Sequence, residues 1–201
     1  MKAPAGTAGY GSRATELAAQ YESITFEAVH RDVIHLFPQH DADVLDIGAG
    51  SGRDAAALAA RGHRVVAVEP TPELRQEGKR LHPLPHLEWV DDHLPLLPVM
   101  RNSARRFDLI LLTAVWMHLD EAERKAAMSA VAELVRAGGV VVMSLRHGPV
   151  PEGRRMFDVS ADETIALGRQ AGLQVHHRST REDMLGRGDV TWSFLALKRN
   201  T

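Results

Sequence analysis

Residues 44–70 read VLDIGAGSGRDAAALAARGHRVVAVEP, and no other stretch limits the fold as tightly. A short apolar run, Val44 to Ile47, leads into a glycine-rich loop. Arg53 to Arg61 is an alanine-dominated helix that Gly62 stops, and Val65 to Val68 is a second apolar run. A strand, loop, helix and strand in that order join two parallel strands through a crossover, and a chain that repeats the unit builds an open parallel sheet. This chain repeats it. Thr71-Pro72-Glu73 supplies an N-cap, an N1 proline and a first-turn acid for a helix to about Arg80, after which Leu87 to Val90 reads as a third strand. Phe107 to Leu112 reads as a fourth, apolar on both faces as a central parallel strand is. Asp120 and Glu123 form a capping box for a helix to about Arg136, closed by Gly138 and Gly139 ahead of a fifth strand, Val140 to Leu145.

The end of the chain changes character. Ser160 and Glu163 cap one more helix, which Gly172 ends, and Leu173 to Arg178 and Val190 to Lys198 are β-rich runs. The segment STREDMLGRGD between them is too short for a crossover helix, so these runs pair antiparallel. The expected fold is α/β: a Rossmann-like open sheet of seven strands, mostly parallel with an antiparallel last strand, with helices on both faces. Ahead of it, Leu17, Tyr21, Ile24 and Ala28 recur at helical spacing, followed by Val33, Leu36 and Phe37, so residues 13–40 form one or two amphipathic helices that precede the first strand. Residues 1–12 are small and glycine-rich and are expected to be mobile. With 201 residues and 44% hydrophobic content, residues 13–201 are expected to form one domain whose core is 43–198.

Composition removes several classes of function. Lys plus Arg number 24 against 26 Asp plus Glu, a net charge of -2, which provides no electrostatic footprint for nucleic acid or an anionic membrane and points to a small or mixed-polarity substrate. Cysteine is absent, so disulfides, cysteine zinc sites and thiol nucleophiles are excluded together. The N-terminal residues lack the apolar centre of a signal peptide and no eighteen consecutive apolar residues occur, so a cytoplasmic, unexported protein is expected. The 11 histidines have no metal-ligand spacing, and no metal is expected. Oligomeric state is not encoded in any feature of this kind.

The glycine loop follows the first strand, where an open parallel sheet binds its ligands beyond the carboxyl ends of the strands. Counting G-x-G-x-x-G from Gly48 places Arg53 at the sixth position, a bulky side chain where a dinucleotide site needs a small one. Asp46-Ile47-Gly48-Ala49-Gly50-Ser51-Gly52 instead resembles motif I of the class I S-adenosylmethionine-dependent methyltransferases. The resemblance extends from about Asp43 to Lys198 and is further carried by Glu69 after the second strand, LEWVDDHLP, FDLILLTAVWMHL and LVRAGGVVVMSL. It implies S-adenosyl-L-methionine as cofactor, held by Gly48, Ala49 and Gly50, by Glu69 on the ribose hydroxyls with its neighbour Pro70, and by Asp92 rather than Asp91 on the adenine with its neighbour His93. It also implies that the Thr113 carbonyl faces the methionyl ammonium and that an N-terminal helical lid brings Tyr21 over the site, the alternative being that Tyr21 only staples that helix to the sheet. GSGRDAAALAARGH is similar, over that short length, to the tellurite- and thiopurine-type small-molecule methyltransferases.

Arg53, at a helix N-terminus that a cation opposes, is expected to meet the cofactor carboxylate or a neighbouring acid. Methyl transfer from a sulfonium proceeds by direct in-line displacement on an oxygen, nitrogen or sulfur acceptor. A hydroxyl or protonated amine acceptor needs a base, and His118 and His147, after the fourth and fifth strands, are the candidates. A nicotinamide-dependent oxidoreductase and a non-catalytic S-adenosylmethionine-binding protein are the alternative readings.

Overall fold

The computed structural model describes residues 4–7 and 9–201. The strands are β1 (Asp43–Ile47), β2 (Arg64–Val68), β3 (Glu88–Val90), β4 (Phe107–Thr113), β5 (Val135–His147), β6 (Leu173–Glu182) and β7 (Thr191–Arg199). The helices are α1 (Ala14–Glu22), α2 (Phe26–His30), α3 (Arg53–Ala59), α4 (Pro72–Leu81), α5 (Pro98–Asn102), α6 (Glu121–Leu134) and α7 (Ala161–Gln170). The strands form one seven-stranded sheet in the order β3-β2-β1-β4-β5-β7-β6. β1 to β5 pair in parallel, and β7 runs antiparallel to both β5 and β6. The fold class expected from the sequence is the one observed.

Strand alternation divides the interior into two layers. In β4, Leu109 and Leu111 join Ala55, Leu58, Phe26 and Phe37 on the side of α2 and α3. Ile110 and Leu112 join Met128, Val131 and Ile165 on the side of α6 and α7. That double burial is why FDLILL carries no polar residue after Asp108. Strand order reverses beside β1, where the chain runs from β1 outward to β2 and later returns to β4, and this opens the cleft above the glycine loop.

Several local expectations need correction. α6 has its full capping box, with Asp120 accepting from the Glu123 amide, but it ends at Leu134 rather than near Arg136. Val135 is already extended and pairs with Phe107, so Gly138, at φ +78°, bends a strand instead of closing a helix. Thr71 occupies the N-cap position of α4, yet its side chain makes no capping bond. Its amide donates to Glu69 instead. α5, after His93-Leu94-Pro95, has no counterpart among the elements expected from the sequence; it starts from Leu97 in the left-handed region at φ 46°.

Candidate active site

One cavity of about 680 Å³ opens over the carboxyl ends of β1, β2, β4 and β5. Gly48 and Ala49 donate their amides to the Val68 carbonyl at 2.7 and 3.0 Å, so the glycine loop is bent over the end of β2. Gly48 and Gly50 have φ +73° and +57°, and a Cβ on Gly50 would sit 3.2 Å from the Tyr21 ring. Gly52 differs from both. A Cβ there would collide with the Trp89 ring at 2.7 Å, so this third glycine permits packing of α3 rather than approach of a ligand.

Three acids face the cavity from successive strand ends. Glu69 is buried, accepts from the Gly50 amide at 3.0 Å and from the Thr71 amide at 2.8 Å, and is raised above the ordinary glutamate range by burial, against those two bonds. Asp92 is buried and accepts from the His93 and Met100 amides at 2.9 and 2.8 Å. Asp91 is turned outward onto Arg75 at 3.0 Å and does not line the cavity, so of the two acids only Asp92 faces it. Asp46, at the end of β1, has a buried Oδ2 with no hydrogen-bond partner among the described residues. Burial and then the charge of Asp54 hold its carboxyl well above the usual range.

Asp54 organises the floor. It takes His30 Nε2 at 2.8 Å, Arg53 Nε at 2.7 Å and Thr113 Oγ1 at 2.9 Å, joining α2, α3 and the end of β4 at one carboxylate. Arg53 extends further to the Tyr21 carbonyl at 3.0 Å. The arginine thus meets a neighbouring acid and ties down the N-terminal helix. Tyr21, Pro70, His93 and Thr113 all line the cavity with the glycines, Glu69 and Asp92.

The two candidate histidines part company. Ser144 and Arg146 point into the cavity, so strand alternation sends Leu145 and His147 to the opposite face. There His147 Nε2 lies 2.8 Å from Ser193 Oγ, and the structure does not bring this histidine to the site. His118 does line it. Its Nδ1 is 2.9 Å from the Arg155 carbonyl, which can only accept, so Nδ1 carries the proton and Nε2 accepts from the Tyr10 hydroxyl at 2.9 Å. Burial lowers the His118 pKa and raises that of Tyr10. Arg155 buttresses the histidine by donating to the His118 carbonyl and to Glu123, both at 2.7 Å.

Tyr10 is invisible to sequence reasoning because it stands in the segment expected to be mobile. The described part of that segment folds as short 3-10 turns at Ala5–Thr7 and Gly11–Arg13, which carry Tyr10 over the site. No periodicity announces such turns. Asp54 is legible in the sequence only as a first-turn helix acid. Among the described residues, no group of His, Asp and Glu is arranged to hold a metal ion, and no helix is long and apolar enough to cross a membrane.

The fold agrees with what the chain resembles among known proteins. Residues 44–139 match the family model described as a methyltransferase domain. Over that stretch the chain is similar to a methyltransferase domain. An uncharacterized methyltransferase of Alkaliphilus oremlandii is 31% identical over 100 residues, 50% of this chain and 44% of the relative. The chain spans about half the length of the curated relatives it matches, 44% and 55% of the first two.

Among solved structures, the 1,6-didemethyltoxoflavin-N1-methyltransferase of Burkholderia thailandensis is similar with a TM-score of 0.67 at 21% identity, covering 100% of this chain and 94% of that one. A TehB-like S-adenosylmethionine-dependent methyltransferase of Corynebacterium glutamicum is similar with a TM-score of 0.66 at 21% identity, covering 92% and 97%. The chain thus has its glycine loop, strand-end acids and aromatic cover around one cavity. Gly50→Ala is expected to cost about 1–2 kcal/mol of stability through its left-handed backbone alone. It should also loosen S-adenosylhomocysteine binding by displacing Tyr21; a thermal melt and a calorimetric titration read the two effects separately.

Proposed function

We propose that this methyltransferase domain transfers the methyl group of S-adenosyl-L-methionine to an oxygen, nitrogen or sulfur atom of a small-molecule acceptor by direct in-line displacement. The observation that carries the reading is the set of acceptors on one cavity wall: Glu69, Asp92 and the unpartnered Asp46 oxygen, at the ends of β2, β3 and β1. That set suits a ligand with two vicinal hydroxyls, an exocyclic amine and an ammonium. Glu69 holds the ribose hydroxyls beside Pro70, since each carboxylate oxygen keeps a lone pair beyond its one amide bond. Asp92, with His93, takes the adenine amino group. Asp46, whose buried Oδ2 lacks a partner among the described residues, and the Thr113 carbonyl take the ammonium. When bound, the cofactor supplies a methyl group on a sulfonium, already activated for displacement.

The remaining steps belong to the protein. Tyr21, on α1, and Tyr10, ahead of it, cover the site and exclude water. Tyr10 and His118 handle the proton. The Tyr10 oxygen receives a proton from the acceptor as its own passes to His118 Nε2, and the Nδ1 bond to the Arg155 carbonyl fixes the tautomer that permits this. A small acceptor fits a cavity that the N-terminal segment closes over. A 1,6-didemethyltoxoflavin-N1-methyltransferase and a magnesium protoporphyrin IX methyltransferase among the proteins of similar structure are named for small molecules.

Glu69→Ala tests the cofactor assignment. Charge-assisted bonds of about 1.5–3 kcal/mol each make the expected loss of S-adenosylhomocysteine affinity about ten-fold to several hundred-fold, with the fold retained. An analogue lacking both ribose hydroxyls should bind the wild type weakly and lose little more in the mutant. Equal losses for both ligands would remove Glu69 from the ribose. Transfer of tritiated methyl into a metabolite extract then identifies the acceptor. Preference for NAD over S-adenosylhomocysteine, or binding without any transfer, would return the reading to an oxidoreductase or a non-catalytic binder respectively.

A further inference from the structure

The acids assigned to the cofactor occupy the β3-β2-β1 half of the sheet, whereas the cavity continues over β5, β7 and β6. There Arg146 pairs in register with Trp192, and Trp192 with Arg181. Register partners on antiparallel strands share a face, so the three side chains form one row along the cavity wall. At about 4.8 Å per strand, Trp192 lies roughly 19 Å across the sheet from the end of β2 that carries Glu69.

Arg146 is the unusual member of the row. It is 9% exposed, and its NH1 group bonds only the Gly148 and Pro149 carbonyls, at 3.3 and 2.8 Å. Its Nε has no hydrogen-bond partner among the described residues. No carboxylate among them comes within ion-pair distance of its guanidinium. Arg181, by contrast, is anchored on the Ala28 and Val29 carbonyls and faces Asp32 at 3.4 Å, although its Nε too is buried without a partner among those residues. The nearby acid Asp183 spends Oδ1 on Trp192 Nε1 and Arg187, and Oδ2 on Arg187 and the Leu185 amide. A buried guanidinium without a carboxylate partner is costly, and Arg146 lines the cavity, where an acceptor on a bound molecule can approach it.

We propose that Arg146, flanked by Trp192 and Arg181, determines acceptor specificity by taking the anionic group, a carboxylate or a phosphate, of a flat, partly apolar acceptor. The inference rests on the methyl-transfer reading and deepens it. Arg146 supplies the fork, Trp192 a flat wall held by Asp183, and Arg181 a second N–H across the row. Burial and the nearby Arg187 push the Arg146 guanidinium down from its usual range, a penalty that an incoming anion relieves.

The test titrates the full chain, saturated with S-adenosylhomocysteine, with benzoate, phenyl phosphate and benzamide, which share a ring and differ in charge. At least one anion should bind about ten-fold or more tightly than benzamide, and the better of the two identifies the carboxylate or the phosphate. R146Q should erase that preference and R146K retain part of it, with S-adenosylhomocysteine affinity within about three-fold of wild type in both. The affinity also shows that each variant is folded. Benzamide binding as well as both anions, no probe binding at all, or an anion preference intact in R146Q overturns the proposal. So does a ten-fold loss of S-adenosylhomocysteine affinity in R146Q, which would give Arg146 to the cofactor. A wild type that fails to bind S-adenosylhomocysteine fells both readings, whereas binding without anion preference fells this one alone.

Discussion

Replacing His118 by alanine is expected to lower turnover at neutral pH by roughly 100-fold or more, while S-adenosylhomocysteine affinity stays within a few-fold. The expectation follows from the fixed tautomer: the Arg155 carbonyl holds the proton on Nδ1, so Nε2 is a free base toward the Tyr10 hydroxyl. Tyr10→Phe removes the oxygen that passes a proton along this route and should lose turnover in parallel, and the double variant should lose little more than either single one. The pH profile gives a second readout. Burial lowers the His118 pKa, so the neutral imidazole persists on the acid side of the ordinary histidine value of about 6.5, and the rate should begin to fall only below it. A structural role for His118 would move stability and leave that limb of the profile in place. Unchanged turnover in both single variants would show that the acceptor reacts without a base, as a thiolate does.

The contrast between His118 and His147 shows what a sequence can place and what it cannot. Both follow apolar strands, and the sequence puts both at the same edge of the sheet. The edge follows from topology, which the βα alternation makes legible. The face follows from register, because one residue of shift reverses the direction of a strand side chain. Arg146 and His147 are neighbours, so only one of them can enter the cavity, and the sequence alone does not fix which. Glu69 is legible because it ends a strand beside a glycine loop, a position that backbone geometry fixes. Tyr10 is not, because it reaches the site through two 3-10 turns whose placement depends on packing against His118 and Arg154 rather than on any local pattern.

The same limit hides the carboxylate with the largest expected effect on stability. Asp54→Ala is expected to destabilise the protein by about 3–5 kcal/mol, because it leaves His30, Arg53 and Thr113 without the acceptor that joins them in a buried site. For a chain of this size that corresponds to a fall in Tm of roughly 10 °C. Burial alone would raise the Asp54 carboxyl; the charge and hydrogen bond of His30, and then those of Arg53, overcome it and hold the group below the usual aspartate range. A lowered carboxylate stabilises the fold fully above its unfolded pKa of about 3.9 and loses that contribution as pH falls through the folded value. Wild-type stability should therefore decline in acid more steeply than that of Asp54→Asn, and the two curves should converge at low pH. Denaturant titrations carried from neutrality down to well below the unfolded aspartate value of about 3.9 measure this. Because α2 is tied to the cavity floor through His30 and Asp54, the variant should also lose S-adenosylhomocysteine affinity, which His30→Ala should reproduce. Parallel stability curves for wild type and Asp54→Asn would show that the carboxylate charge contributes nothing and that His30, Arg53 and Thr113 are held by packing alone.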